Sequence, residues 1–96
     1  MRRLRYPVVY LDFNDRIDSF RYFLCTGSMN SLEALGLNVK DAVGHHFTFW
    51  MDEGTPDDVI CEGRMAFDPH WQYVAEIDLD VGYFSRCEVD FSRSET

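Results

Sequence analysis

Residues 44–79 constrain the fold most, because they hold three consecutive segments in which apolar and polar side chains alternate. Side chains of an extended chain point to opposite faces in turn, so this period of two places one face against a core. The apolar positions are Phe47, Phe49 and Met51 in the first segment, Val59, Cys61, Met65 and Phe67 in the second, and Trp71, Tyr73, Ala75, Ile77 and Leu79 in the third. Acidic turns with glycine or proline separate the segments. The pattern predicts a three-stranded antiparallel meander.

Further strands are predicted on both sides of the meander. Residues 5–13 are rich in tyrosine and valine, and Pro7 near their start is typical of an edge strand, because proline cannot donate to a ladder. Residues 19–26 are largely apolar on both faces, which favours a central or covered strand. Residues 86–91 alternate again and indicate a sixth strand, and residues 92–96 are expected to fray.

A single short helix is predicted after the second strand. Gly27 breaks the strand pattern, Ser28 or Ser31 can cap a helix over residues 32–35, and Gly36 marks its end. The predicted fold class is therefore α+β but mainly β, a small antiparallel curved sheet of five or six strands with one short helix, in a single domain spanning residues 1–96. A partly closed barrel remains the alternative to an open sheet, since closure hides the edge strands without changing the periodicity.

The charge of the chain limits its partners. The formal net charge is −8 at pH 7, and an acidic surface repels phosphate backbones, so a basic protein is expected as partner and nucleic acid is not. No apolar stretch is long enough to span a membrane, so no membrane partner is expected. The three cysteines are widely spaced without a C-x-x-C motif, which favours a reducing, cytoplasmic location and no disulfide framework. No cofactor is expected.

A characteristic succession of sequence segments extends over about residues 8–80. It comprises a strand ending in Leu-Asp-Phe-Asn, a Gly-Ser break before Ser-Leu-Glu, and an acidic meander. The residues that carry it are Leu11, Asp12, Phe13, Asn14, Gly27, Ser28, Ser31, Leu32, Glu33, Asp58, Gly63, Asp68, Trp71, Ala75 and Ile77. This order resembles that of short bacterial proteins of unknown function. The resemblance includes no catalytic signature and implies no activity.

The polar face of the meander is the first candidate partner-binding surface. Glu76, Asp78 and Asp80 lie on the polar side of the third segment, and Glu62 and Arg64 lie on that of the second. Like charges facing each other across strands repel, so Arg64 is predicted to form a cross-strand ion pair with this acidic group. The face is either a recognition surface for a basic partner or an ordinary solvent-exposed face.

Trp50 is the second candidate for partner binding. It alternates with Phe47 and Phe49 and should therefore lie on the face opposite the core, at least partly exposed. Tryptophan is enriched at binding hot spots. A second hydrophobic layer, covered by the helix or by another subunit, would explain it equally well.

A metal site is a further hypothesis, with His45, His46, Asp52 and Asp58 as candidate ligands. Histidine and carboxylate groups are common metal ligands, but adjacent residues of a strand point to opposite faces. His45 and His46 therefore could not easily bind one ion together.

The leading functional hypothesis is a non-enzymatic, acidic protein–protein interaction module of a regulatory or neutralising kind, comparable to an immunity protein, with a homodimer as one arrangement. No catalytic residue is assigned, because no nucleophile or acid–base motif is present. The alternatives are a small-ligand or metal-binding barrel domain and a subunit of an obligate homo-oligomer. The basic arm of Arg2, Arg3 and Arg5 is either a flexible terminus or an intramolecular partner of the acidic body.

Overall fold

A computed structural model describes residues 3–90 of the chain. The elements, in chain order, are β1 (Val8–Tyr10), β2 (Arg21–Phe23), α1 (Thr26–Ala34), α2 (Val39–Ala42), β3 (His46–Trp50), β4 (Val59–Asp68), β5 (Gln72–Ile77), β6 (Tyr83–Ser85) and a 3₁₀ turn, Arg86–Glu88. The domain is mainly β, as predicted.

All six strands belong to one mixed sheet. The order of hydrogen-bonded strands is β1-β3-β4-β5-β2. Strand β6 pairs with the first residues of β4, which β5 does not reach. The antiparallel meander β3-β4-β5 confirms the alternation in the sequence. The expectation of a purely antiparallel sheet is wrong, because β1 pairs with β3 in parallel. Such a pair requires a long crossover, supplied here by β2 and the two helices. The sheet does not close, so the barrel alternative is also wrong.

The second strand, the helical region and the last strand differ from the predictions. Strand β2 lies at one end of the sheet and is not a central strand. Helix α1 begins at Thr26 rather than near residue 32, and a second helix, α2, follows it. The sixth strand lies at Tyr83–Ser85, while Arg86–Glu88 form a 3₁₀ turn. The N–H groups of Arg86 and Cys87 donate to the carbonyls of Asp58 and Pro56, so this stretch closes a loop instead of extending the sheet. The predicted frayed tail lies outside the described residues.

The two helices cover one face of the sheet and define its main core. Phe47, Phe49 and Met65 are fully buried there against Leu32 of α1 and Ala42 of α2. This confirms the apolar face predicted for the middle of the meander, whereas Phe67, Trp71 and Leu79, which were predicted for the same face, are exposed. The face that points away from the helices is called the open face below.

Helix α1 also protects the outer edge of β1. The Ser28 hydroxyl donates to the Tyr10 carbonyl oxygen at 2.6 Å, and the Tyr10 N–H donates to Ser31 Oγ at 3.0 Å. A Cβ atom on Gly27 would lie 2.7 Å from the Tyr10 ring, so glycine permits this close approach. The two predicted capping serines therefore bind the edge strand, and Cys25 is the N-cap residue.

Candidate interaction site

The open face carries a polar ladder across the three meander strands. His46 pairs with Arg64, Thr48 pairs with Glu62, and Arg64 pairs with Glu76. These side chains alternate with the core residues, which is why they point away from the helices. Arg64 Nε donates to Glu76 Oε1 at 3.1 Å, so the predicted cross-strand ion pair is confirmed. Both side chains are partly exposed, and such a pair contributes only about 0–1 kcal/mol to stability.

Glu62 lies deeper than the rest of the ladder. Its side chain is 8% exposed, and its carboxylate accepts hydrogen bonds from Nε and Nη2 of Arg5. These hydrogen bonds are the main cause of a raised pKa for Arg5. A buried carboxylate needs a partner to offset its desolvation. Of the two possibilities for the basic arm, Arg5 is therefore an intramolecular partner of the acidic body, while Arg2 lies outside the described residues.

The N-terminal strap, residues 3–7, leaves the sheet and crosses the open face. The Thr48 N–H donates to the Pro7 carbonyl at 2.8 Å, and the Thr48 hydroxyl donates to the Tyr6 carbonyl at 3.0 Å. The Tyr6 ring stacks on His46 with a centroid distance of 5.1 Å. The strap thus places Arg5 above Glu62.

Two neighbouring cavities, together called the groove below, lie beside the strap. The first has a volume of about 320 Å³ and is lined by His46, Gly63, Arg64, Glu76, Ile77 and Asp78. The second has a volume of about 360 Å³ and is lined by Arg3, Arg5, Glu62, Asp80, Val81 and Phe84. The Asp78 N–H donates to the Glu62 carbonyl at 2.8 Å, so the linings of the two cavities adjoin each other. All five predicted charged residues thus line these two adjoining cavities, with exposed carboxylates at Asp78 and Asp80.

Trp50 does not belong to this groove. It is 8% exposed and packs with Ile60, Phe84 and Val89 in a second hydrophobic cluster. The expectation of a partly exposed Trp50 is therefore wrong. The alternative of a second hydrophobic layer describes its position, but the cover comes from the N-terminal strap and the C-terminal part of the same chain. Periodicity assigned the correct face and could not show what covers it.

The four candidate metal ligands are not brought together. His46 stacks on Tyr6 at the first residue of β3, whereas Asp58 accepts a hydrogen bond from the indole of Trp50, four residues further along. Four strand residues span roughly 13 Å. Asp52 accepts from the Gly54 N–H in the adjacent turn. Within residues 3–90, no three His, Cys, Asp or Glu side chains are grouped so that they could hold a metal ion.

Arg5, like Arg3, lines the groove but was not assigned to the site from the sequence. Its partner Glu62 is 57 positions away, so no local pattern connects the two. The available signal was the sign of the charge, because Arg2, Arg3 and Arg5 form a basic arm on an acidic chain.

Comparison of the chain with protein-family models, curated proteins and solved structures gave no match. None of the helices in the described part of the chain has the length and apolar character needed to cross a membrane. The function is therefore argued from the groove itself.

Proposed function

We propose that this protein is a non-enzymatic interaction module that binds a basic partner protein through the groove of the open face. The observation that carries the proposal is the convergence of Glu62, Glu76, Asp78 and Asp80 on the one sheet face that the helices leave uncovered. Complementary charge raises association rates and excludes partners of the wrong sign. A regulatory or neutralising role, such as that of an immunity protein toward its toxin, fits this size and charge by analogy only.

The net charge supports the same class of partner. At −8 the chain attracts basic proteins over a range of about one Debye length, roughly 8–10 Å at physiological salt. The groove supplies fixed carboxylates for the contact itself. We therefore expect binding that weakens with ionic strength and depends on particular acidic positions.

A charge-reversal experiment tests this proposal. Asp78→Lys changes an exposed groove carboxylate, and Glu33→Lys makes the same change of charge on the exposed side of α1. Each variant and the wild type are immobilised and incubated with lysate of the source cells at about 0.05 M and about 0.5 M NaCl, a range over which the Debye length falls severalfold. The captured proteins are identified by mass spectrometry.

The expected result is a basic protein captured by the wild type and by Glu33→Lys at low salt only, and lost with Asp78→Lys. Titration of that purified protein should give an affinity at least about tenfold weaker for Asp78→Lys than for the wild type, which corresponds to about 1.4 kcal/mol. Equal affinity of all three proteins, or an affinity that does not change with salt, would show that the groove is not an electrostatic binding site.

A further inference from the structure

The groove already contains a ligand-like group, which is the Arg5 side chain of the same chain. Its guanidinium donates through two nitrogen atoms, Nε and Nη2, to the two carboxylate oxygens of Glu62. Such two-point pairing matches the planar fork of arginine, whereas the ammonium of lysine is a point charge without this geometry. The pocket around Glu62 is therefore shaped for a guanidinium.

The strap also sets the charge of the groove. Without the strap, the lining residues include four carboxylates and the single guanidinium of Arg64, which is a formal charge of −3. With Arg3 and Arg5 in place the formal charge is −1. The attraction that the groove can exert on a basic partner thus depends on whether the strap occupies it.

The contacts of Arg5 are replaceable by an incoming chain. Its side chain is 59% exposed, while that of Glu62 is 8% exposed, so the carboxylate is held by the fold and the guanidinium approaches it from solvent. On either side of Arg5, Leu4 packs against the Trp50 cluster and Tyr6 stacks on His46. A partner segment needs an arginine flanked by apolar or aromatic residues to reproduce these contacts.

We propose that the groove recognises an extended, arginine-containing segment of the partner, and that the N-terminal strap occupies this position in the free protein as a competing internal ligand. The inference rests on the proposed function and names the chemistry of its partner. A tethered internal ligand has an effective concentration of the order of millimolar. The free protein therefore binds an arginine segment weakly, and removal of Arg5 strengthens the binding.

The test uses the full-length chain and a peptide with blocked ends, Arg-Leu-Arg-Tyr-Pro, which copies residues 3–7. Binding is measured by calorimetry and by the NMR signals of the His46 ring. The Arg5→Gln variant should bind the peptide at least about tenfold more tightly than the wild type. The double variant Arg5→Gln/Glu62→Gln should lose this gain, and the control peptide Arg-Leu-Gln-Tyr-Pro should not bind Arg5→Gln.

Since Arg5→Gln leaves Glu62 buried without its cation, Arg5→Lys provides a second variant that keeps the charge. It should bind the arginine peptide more tightly than the wild type and less tightly than Arg5→Gln, with a smaller fall in thermal unfolding temperature than Arg5→Gln shows. Peptide affinities that are equal for the wild type and both Arg5 variants would overturn the inference.

If a basic partner were still captured in a salt-dependent and Asp78-dependent manner, the proposed function would stand without the internal ligand. If the peptide bound as expected and no basic partner were captured, the arginine site would stand and the proposed function would be wrong.

Discussion

Asp58 holds the loop between β3 and β4 in place. Its carboxylate is buried and accepts hydrogen bonds from the Trp50 indole, from the N–H groups of Glu53, Gly54 and Thr55, and from the Thr55 hydroxyl. Burial by itself would raise the pKa of this carboxyl. The hydrogen bonds outweigh it and lower the pKa to about 2. Donors aimed at a carboxylate favour its charged form, so Asp58 is a structural anion.

The stability that Asp58 contributes to the fold should depend on pH. Its pKa is about 2 in the folded chain and about 3.9 in the unfolded chain. Its contribution is therefore complete above about pH 4 and is lost as the pH falls through about 2. Asp58→Asn should lower the midpoint of urea unfolding at pH 7, and its difference from the wild type should shrink between about pH 4 and 2.

Asp57→Asn is the matched control, because Asp57 is exposed in the same loop. It should leave the midpoint nearly unchanged at both pH values. A difference between Asp58→Asn and the wild type that stayed constant down to about pH 2 would contradict the assigned role.

Strand β4 depends on a glycine where its partner changes. Its first residues pair with β6, and from Gly63 onward it pairs with β5. A Cβ atom at Gly63 would lie 2.0 Å from the carbonyl oxygen of Glu76, which is backbone and cannot rotate away. The sharp change of partner in the longest strand thus requires the absence of a side chain at this position.

Gly63→Ala should therefore lower the free energy of unfolding by about 3 kcal/mol or more, at the upper end of the cost of overpacking. Gly54→Ala is the comparison, because Gly54 has φ +76 and no atom within 4 Å of an added Cβ. Its cost should be about 1–2 kcal/mol, from backbone strain alone. Urea denaturation at neutral pH measures both, and equal costs would show that β4 can move away from Glu76.

The edge of β1 gives a prediction about α1. Ser28 is fully buried, donates to the Tyr10 carbonyl and accepts from the Cys25 N–H at 3.2 Å. Ser28→Ala leaves both backbone groups without this partner, so the free energy of unfolding should fall by about 1–3 kcal/mol. Asn30→Ala, on the exposed side of the same helix, should change it by less than about 0.5 kcal/mol. Thermal unfolding followed by circular dichroism separates the two variants, and similar melting temperatures would contradict the edge-protection role of Ser28.

The domain has a hydrophobic core on each face of its sheet. The larger one is covered by the helices, and the smaller one, around Trp50, is covered by the strap and the C-terminal segment. The groove lies on the open face, over the β4–β5 pair and the segment that follows β5. Because both cores are covered within one chain, Trp50 provides no argument for an obligate oligomer. The salt dependence proposed for partner binding arises at this level, from the net charge of the chain together with the carboxylates of the groove.

Local patterns in the sequence were sufficient for the meander and for the faces of the side chains in the middle of its strands. Alternation is a property of neighbouring residues, so Phe47, Phe49 and Met65 were correctly assigned to the core and Glu62, Arg64 and Glu76 to the opposite face. The sequence placed the start of the helix too late. The first helical turn, which begins at Thr26, directly follows strand-like residues, and contacts with β1 hold this turn in a helix.

The remaining features depend on contacts between residues that are distant in the sequence. The parallel pairing of β1 with β3, the cover over Trp50 and the pairing of Arg5 with Glu62 all join segments tens of residues apart. A period of two identifies the buried and polar faces of a strand, because that information is carried by adjacent residues. It cannot specify which distant segment lies on a face, because the packing free energy of the folded chain selects that segment. The groove and its internal arginine are therefore properties of the folded chain, formed by charged residues that the sequence places far apart.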